Sequence, residues 1–207
     1  LVGVAPAWRA AFLAFAEGWG TPVEYPFVKG LADYPVIIEI KKLEHEKVNF
    51  GGVWHSDTAY LERPPMATLL LAREVPPYGS DTLFANQYLA YETLSEGMKK
   101  LLDGLDAVNT SAKADTTRTR EDRLAEVGRS DAASQYEATH PVVRRHPEPG
   151  RKALYVNYAH TARFAGMTEE ESAPLLQWLF AHQKKEEFTC RFRWRVGSLA
   201  LWDNRCT

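Results

Sequence analysis

Apolar and polar residues along this chain follow one another in short blocks, which predict strands separated by turns. The clearest block is near the end, where Phe188, Cys190, Phe192, Trp194 and Val196 alternate with Thr189, Arg191, Arg193 and Arg195. This period of two predicts a strand with one apolar and one cationic face. Shorter apolar or β-branched runs predict further strands at residues 36–40, 66–72, 141–143, 153–156 and 199–202.

Helical spacing occurs in three places. Apolar residues repeat at helical intervals within residues 4–18, and again in the series Leu94, Met98, Leu101, Leu102 and Leu105, which Ser95 can cap. A third helix is predicted to begin at Thr168, with Glu171 completing a capping box and Pro174 bending its first turns. Its buried stripe is Leu175, Leu176, Leu179 and Phe180. These stripes indicate packing, not chemistry.

Many short strands with few helices favour a sandwich or barrel over an alternating α/β sheet. We therefore expect a mainly β, α+β fold with flanking helices, arranged as a jelly roll in a single domain over residues 1–207. Residues 109–139 are rich in Thr, Ser, Asp, Arg and Glu and show no sustained apolar period. They are either a solvated insertion with a short helix around residues 121–127 or a lid that orders over a bound substrate.

Composition narrows the class of partner. Apolar residues make up 45% and charged residues 25% of the chain, as in globular proteins, so disorder is excluded. A formal charge of -2 gives no general attraction to nucleic acid or an anionic membrane, which favours a small-molecule partner. The nearly apolar run at residues 10–16 is too short to span a bilayer and lacks the flanks of a secretory signal, so we expect a cytoplasmic protein. We also expect a homo-oligomer, with Cys190 and Cys206 reduced.

The candidate chemistry is concentrated in residues 51–65, GGVWHSDTAYLERPP. In an extended segment, His55 and Asp57 lie on the same side of the backbone, where both can bind one metal ion. Imidazole with carboxylate is the ligand mixture of the two-histidine, one-carboxylate site, which holds Fe(II) and leaves positions open. A His-x-Asp pair also fits a simple hydrogen bond at the end of a strand, so both interpretations stay open at this point.

Four motifs in order along the whole chain resemble the taurine dioxygenase family, which includes the 2,4-dichlorophenoxyacetate dioxygenases. They are Trp54-His55-Ser56-Asp57-Thr58 with Pro64-Pro65, Gly79-Ser80-Asp81-Thr82, Leu154-Tyr155-Val156-Asn157, and Trp202-Asp203-Asn204-Arg205-Cys206-Thr207. The resemblance implies a double-stranded β-helix, a relative of the jelly roll, that binds Fe(II) and uses 2-oxoglutarate as cosubstrate.

The resemblance also implies residue roles. It makes His55 and Asp57 the first two iron ligands, Thr82 the hydrogen-bond partner of the distal carboxylate of 2-oxoglutarate, and Trp202 a wall of the pocket. In the family, a third ligand, a histidine, lies two residues after the threonine of the last motif, and an arginine that pairs with 2-oxoglutarate follows it. The sequence stops at Thr207, so we expect these residues to be part of a longer protein.

The expected reaction is hydroxylation of a small organic acid with O2, giving succinate and CO2 as co-products. A sulfonate, a sulfate ester or an aryloxyalkanoate are the substrate classes that the resemblance implies. Tyr25 stands where the taurine enzymes have a histidine that contacts the sulfonate, and His160 stands at a pocket position that is aromatic there. These departures argue against taurine itself. His160 also fits a structural, hydrogen-bonded histidine, which is the role we expect for His45, His140, His146 and His182.

Two other functional classes remain open. A zinc-dependent hydrolase could use His55 and Asp57, but tetrahedral zinc would need further nitrogen or sulfur ligands and a water molecule. A non-catalytic jelly-roll binding module without its metal is also compatible, because a fold does not determine function. The identity of the bound metal would distinguish a zinc hydrolase from a dioxygenase. Succinate formation that depends on 2-oxoglutarate would distinguish a dioxygenase from a non-catalytic binding module.

Overall fold

The computed structural model describes residues 7–42, 44, 50–113 and 135–207. The chain divides into two compact units, Leu1–Gly52 with Asp115–Ser134 and Val53–Ala114 with Gln135–Thr207. The described helices are α1 (Ala7–Glu17), α2 (Gln87–Glu92), α3 (Glu96–Leu102) and α4 (Glu169–Gln183). The described strands are β1 (Ala67–Leu71), β2 (Thr82–Ala85), β3 (Asp106–Thr110), β4 (Glu137–Pro141), β5 (Val143–Arg145), β6 (Lys152–Leu154), β7 (Thr161–Phe164), β8 (Thr189–Phe192) and β9 (Leu199–Asp203).

In the first unit the predicted helix is present as α1, but the strand predicted at residues 36–40 is wrong. Ile37 is instead part of a tight loop, in which its carbonyl accepts from the Leu31 N–H and its own N–H donates to the Tyr34 carbonyl, both at 2.9 Å. These turn bonds use the backbone groups that a strand would offer to a neighbour. Only glycine fits at residue 30 of this loop, because a Cβ there would lie 1.9 Å from the Pro35 carbonyl oxygen.

In the second unit all the strand pairs are antiparallel. β1 pairs with β9, β2 with β8, and β5 with β6, while β3 lies between β4 and β7. Strands that are far apart in the sequence therefore become neighbours, and the segment after β9 returns beside the start of β1. The second unit mixes helices with antiparallel strands, in agreement with the predicted α+β class.

The core of the second unit lies where α2 packs against β6 and α4 packs against β7. Its buried members are Ala90, Leu94, Leu102, Ala107, Val142, Leu154, Val156, Phe164, Leu176, Leu179 and Phe188. The predicted capping box of α4 is present: Thr168 Oγ1 accepts from the Glu171 N–H, and the Glu171 carboxylate accepts from the Thr168 N–H. Leu101 departs from its predicted buried stripe and is 53% exposed, while its neighbour Leu102 is the buried residue of α3.

Two further predictions need correction, and one helix was missed. The strand predicted over residues 188–196 is shorter, since β8 ends at Phe192, and both Cys190 and Val196 are exposed. The strand predicted at 141–143 is divided at Val142, whose N–H donates to the Leu105 carbonyl while its carbonyl accepts from the Tyr155 N–H. Helix α2 was not predicted, because six residues are too few to show a helical period.

The insertion predicted at 109–139 begins in β3 and ends in β4, which pair directly with each other. Its residues 114–134, including the short helix expected around 121–127, lie outside the described part of the chain, as does His45. The lid role stays a prediction. Among the described residues, no helix has the length and apolar character needed to cross a bilayer.

Candidate metal centre

His55 and Asp57 lie outside the strands of the fold: Val53 is in a bend, and Asp57 begins a turn that continues through Thr58. Thr58 has a positive φ of 49°, and its carbonyl accepts from the Leu61 N–H at 2.9 Å, which closes the turn. The two functional side chains point to the same side of the backbone, so that His55 Nε2 is 3.1 Å from Asp57 Oδ1. Their side chains are 31% and 25% exposed, which leaves the pair accessible to a small ligand.

A backbone carbonyl determines which nitrogen of His55 faces Asp57. His55 Nδ1 lies 2.7 Å from the Val53 carbonyl oxygen. Since a carbonyl can only accept, Nδ1 carries the proton and donates it. The neutral imidazole then presents its lone pair on Nε2, and a hydrogen bond from the other ring nitrogen is the usual way in which proteins orient a metal-binding histidine.

The electrostatics of the pair suit a bound cation. Burial alone would lower the pKa of His55, but the hydrogen bond and the negative charge of Asp57 outweigh it and raise that pKa above its ordinary value. Burial would likewise raise the pKa of Asp57, but His55 and the hydroxyl of Thr68 lower it overall. Asp57 is therefore ionised at neutral pH. A divalent cation could take the place of the proton on Nε2, because metal ligands must be deprotonated.

The spacing of the two donor atoms fits one metal ion. Bonds of about 2.1 Å that meet at a right angle place two neighbouring ligand atoms about 3.0 Å apart. The observed distance of 3.1 Å between His55 Nε2 and Asp57 Oδ1 matches that value. One nitrogen and one carboxylate oxygen form a donor set suited to first-row divalent ions such as Fe(II), so the residues present fit two adjacent positions of such a site.

His160 lies next to this pair, although it is distant in sequence. Its ring packs edge-on against Tyr60 at 4.9 Å and lies 6.3 Å from the ring of His55, measured between centroids. Burial and the neighbouring His55 lower the pKa of His160 to about 4, so its ring is neutral at neutral pH. Its buried Nδ1 has no hydrogen-bond partner among the residues that the structure describes.

Thr82 and Trp202 lie on two different strand pairs. Thr82 begins β2, and its Oγ1 accepts a hydrogen bond of 2.9 Å from the indole N–H of the buried Trp194. Because indole can only donate, the proton of the Thr82 hydroxyl remains available for another acceptor. Trp202 is in β9, directly opposite Thr68 of β1, and its ring lies 5.3 Å from that of Phe84.

Tyr25 belongs to the first unit. Its ring packs edge-on against Phe27 at 5.8 Å and against Phe50 at 6.5 Å, between centroids. The structure thus places Tyr25 in an aromatic cluster of its own unit. Its role in the substrate pocket stays a prediction.

A second group of possible ligands, His146, Asp203 and Cys206, lies beside the end of β9. Its hydrogen bonds argue against metal binding. The Glu148 N–H donates to His146 Nδ1 at 3.2 Å, so the ring proton is on Nε2 and is donated to Asp203 at 2.9 Å. Arg205 also donates to both oxygens of Asp203. The lone pair of His146 is used by the Glu148 N–H, and the charge of Asp203 is balanced by Arg205. This group is therefore a structural hydrogen-bond network, which is the role expected for His146.

A family model described as Taurine catabolism dioxygenase TauD, TfdA family matches residues 2–207. The chain belongs to this family. The resemblance predicted from the four motifs is thereby confirmed.

Two relatives whose names state an activity are similar to this chain. An alpha-ketoglutarate-dependent sulfate ester dioxygenase of Pseudomonas putida is 33% identical over 199 residues, which cover 93% of this chain and 64% of the relative. An alpha-ketoglutarate-dependent 2,4-dichlorophenoxyacetate dioxygenase of Cupriavidus pinatubonensis is 34% identical over 161 residues, which cover 76% of this chain and 54% of the relative.

The fold is similar to that of a solved family member. The crystal structure of a taurine dioxygenase from Burkholderia xenovorans matches with a TM-score of 0.74 and 32% identity, over 96% of this chain and 64% of that one. The chain thus spans between about half and two thirds of the length of these three relatives.

Three polar contacts of the site were not predicted from the sequence. They are made by Thr68, which donates to Asp57, by Asn204, which donates to Thr68, and by Trp194, which donates to Thr82. Thr68 is a polar residue within a run that otherwise predicts an apolar strand, and Asn204 is in the last of the four motifs. These signals mark the residues but not their partners, which lie on other elements of the fold.

Proposed function

We propose that this TauD, TfdA family member is an Fe(II)- and 2-oxoglutarate-dependent dioxygenase that hydroxylates a small organic acid. The observation that carries the proposal is the pairing of His55 Nε2 with Asp57 Oδ1 at 3.1 Å, with the tautomer of His55 set by Val53. The names of the relatives, which include sulfate ester, 2,4-dichlorophenoxyacetate and taurine dioxygenases, support it. The proposed fold is a double-stranded β-helix of the jelly-roll type, supported by the antiparallel strand pairs and the structural neighbour.

Each residue has a separate role in this proposal. His55 and Asp57 hold Fe(II), and the free hydroxyl proton of Thr82 is donated to the distal carboxylate of 2-oxoglutarate. Trp202 forms a wall that helps to exclude water. When bound, Fe(II) supplies the redox chemistry that couples decarboxylation of 2-oxoglutarate to oxidation of the substrate by O2, with succinate and CO2 as co-products. The protein contributes orientation of these groups and a dry pocket.

The substrate is proposed to be a sulfonate, a sulfate ester or an aryloxyalkanoate. Tyr25 and His160 are the proposed pocket residues. A tyrosine can donate a hydrogen bond but carries no positive charge. The pKa of His160 is lowered to about 4, so its ring is neutral at neutral pH. Recognition by these two residues would use hydrogen bonds in place of a positive charge. The lid role of residues 109–139, a homo-oligomeric state and a cytoplasmic location remain predictions from the sequence.

The test is an anaerobic titration of the protein with Fe(II) and then with 2-oxoglutarate, observing the weak visible charge-transfer band of the chelate. We expect the band in the unaltered protein and its loss in Asp57→Ala, with the fold retained by circular dichroism. Succinate release is then measured with the three classes of acid in turn.

The opposite results would reject the proposal. A band and succinate release of unchanged size in Asp57→Ala would exclude this residue as an iron ligand. Binding of an acid without the band or succinate would identify a binding module, and activity that requires zinc alone would identify a hydrolase.

A further inference from the structure

The carboxylate of Asp57 is held by a chain of side-chain hydrogen bonds that reaches it from two strands. The hydroxyl of Thr68, in β1, lies 2.6 Å from Asp57 Oδ2. Asn204, just after β9, places its Nδ2 2.9 Å from Thr68 Oγ1 and 3.3 Å from the Pro65 carbonyl oxygen. Asn204 is 2% exposed, and its backbone carbonyl accepts from the Ser56 hydroxyl at 2.9 Å.

The direction of each hydrogen bond in this chain follows from its partners. The Pro65 carbonyl can only accept, so the amide of Asn204 must turn its NH2 group toward Pro65 and Thr68. The hydroxyl oxygen of Thr68 then accepts from Asn204, and the single proton of that hydroxyl is donated to Asp57. An ionised carboxylate accepts such a bond well, and charge-assisted bonds of this kind are shorter and stronger than neutral ones.

The chain leaves the two oxygens of Asp57 in different environments. Oδ2 is occupied by Thr68, while Oδ1 faces Nε2 of His55 at 3.1 Å. We propose that Thr68, itself oriented by Asn204, is a positioning residue that commits Asp57 to bind the metal through Oδ1 alone. This inference rests on the proposed function. Binding through one oxygen uses a single coordination position, which keeps more positions open for the cosubstrate and O2.

The Thr68 hydroxyl is not needed to hold β1 in place. Thr68 is the second of five residues of β1 whose backbone pairs with β9, and its own partner is Trp202. Replacing the hydroxyl with a methyl group leaves this pairing intact and preserves the shape of the side chain. The change therefore removes a hydrogen bond to the carboxylate while it keeps the strand.

The test is a titration with Mn(II) alone, in which electron paramagnetic resonance measures the free ion, for Thr68→Val, Thr68→Ser and Asp57→Ala. Loss of a partner that orients a metal ligand typically weakens metal affinity by about 10–100-fold, so we expect that loss in Thr68→Val. Thr68→Ser keeps the hydroxyl and should restore most of the affinity. The matched control is Thr189→Val in β8, whose hydroxyl donates to the Glu186 carbonyl on an exposed surface and should not affect the affinity.

The outcomes separate the inference from the proposed function. If Asp57→Ala loses Mn(II) binding while Thr68→Val binds normally, the positioning role is wrong and the metal site stands. If Thr68→Val and Thr68→Ser lose affinity equally, the hydroxyl is not responsible and the positioning role is also wrong. If Asp57→Ala itself binds Mn(II) as tightly as the unaltered protein, the proposed function fails and the inference fails with it.

Discussion

Replacement of Trp194 by Phe should weaken 2-oxoglutarate binding without changing the rate at saturation. The substitution keeps the edge-on ring contact with Phe192, whose centroid is 4.7 Å away, but removes the indole N–H that donates to Thr82 at 2.9 Å. A hydrogen bond between neutral groups contributes about 1 kcal/mol net. If the whole of that energy holds the Thr82 hydroxyl in its donating direction, the dissociation constant of 2-oxoglutarate should rise about 5-fold.

Calorimetric titration of the metal-loaded protein with 2-oxoglutarate measures this rise in the dissociation constant. Steady-state kinetics of Trp194→Phe should show a higher KM for 2-oxoglutarate with an unchanged kcat. Thr82→Val is the reference, since it removes the proposed bond to the 2-oxoglutarate carboxylate itself and should cost about 1.5–3 kcal/mol, or roughly 10–150-fold. In the double variant, Trp194→Phe should add little, because both changes act on one hydroxyl. Fully additive losses, or an unchanged affinity in Trp194→Phe alone, would refute this explanation.

Two further predictions concern stability. Burial would raise the pKa of Asp203, but hydrogen bonds from Arg205 and His146 outweigh it and lower that pKa from 3.8 to about 2. Because the pKa of Asp203 is lower in the folded state, its ionised carboxylate stabilises the fold. This contribution is fully present above a pH of about 4 and is lost as the pH falls through about 2. Asp203 is partly exposed, so solvent screens its ion pair and the effect is small. Between about pH 4 and pH 2, the free energy of unfolding measured with urea should fall by about 1 kcal/mol more in the unaltered protein than in Asp203→Asn. Leu179→Ala should lower the free energy of unfolding by about 2–5 kcal/mol, because Leu179 is 0% exposed and its truncation leaves a cavity.

The matched control for Leu179→Ala is Leu101→Ala, which should change stability by about 0.5 kcal/mol or less, because that side chain is mostly exposed. Equal losses in the two leucine variants would contradict the assignment of the core. Parallel pH profiles for Asp203→Asn and the unaltered protein would show that the ion pair with Arg205 does not stabilise the fold.

Local rules explain why some features were predictable. His55 and Asp57 are two residues apart, and an extended backbone was expected to bring their side chains to one side. The two side chains do lie 3.1 Å apart, but Asp57 is the first residue of a turn and not part of a strand. The capping box of α4 is likewise formed within four consecutive residues, from Thr168 to Glu171. Such features depend on neighbours along the chain, and the tertiary structure has little freedom to change them.

Features that need a distant partner were not predictable in this way. The β-branched run at 36–40 is not a strand: at Ile37, both backbone groups are used by turn bonds to Leu31 and Tyr34. Whether such a run becomes a strand depends on a neighbour strand being in place, which local propensity does not report.

The sequence by itself determined the family, through four motifs in order, and the pairing of His55 with Asp57. Only the tertiary structure decided what holds that pair. Thr68 is 11 residues from Asp57 and Asn204 is 136 residues from Thr68, yet the β1–β9 pairing places the segment after β9 beside β1. Contacts between residues so far apart exist only once the sheet has formed, because the folded core must first offset the entropy of closing the chain between them.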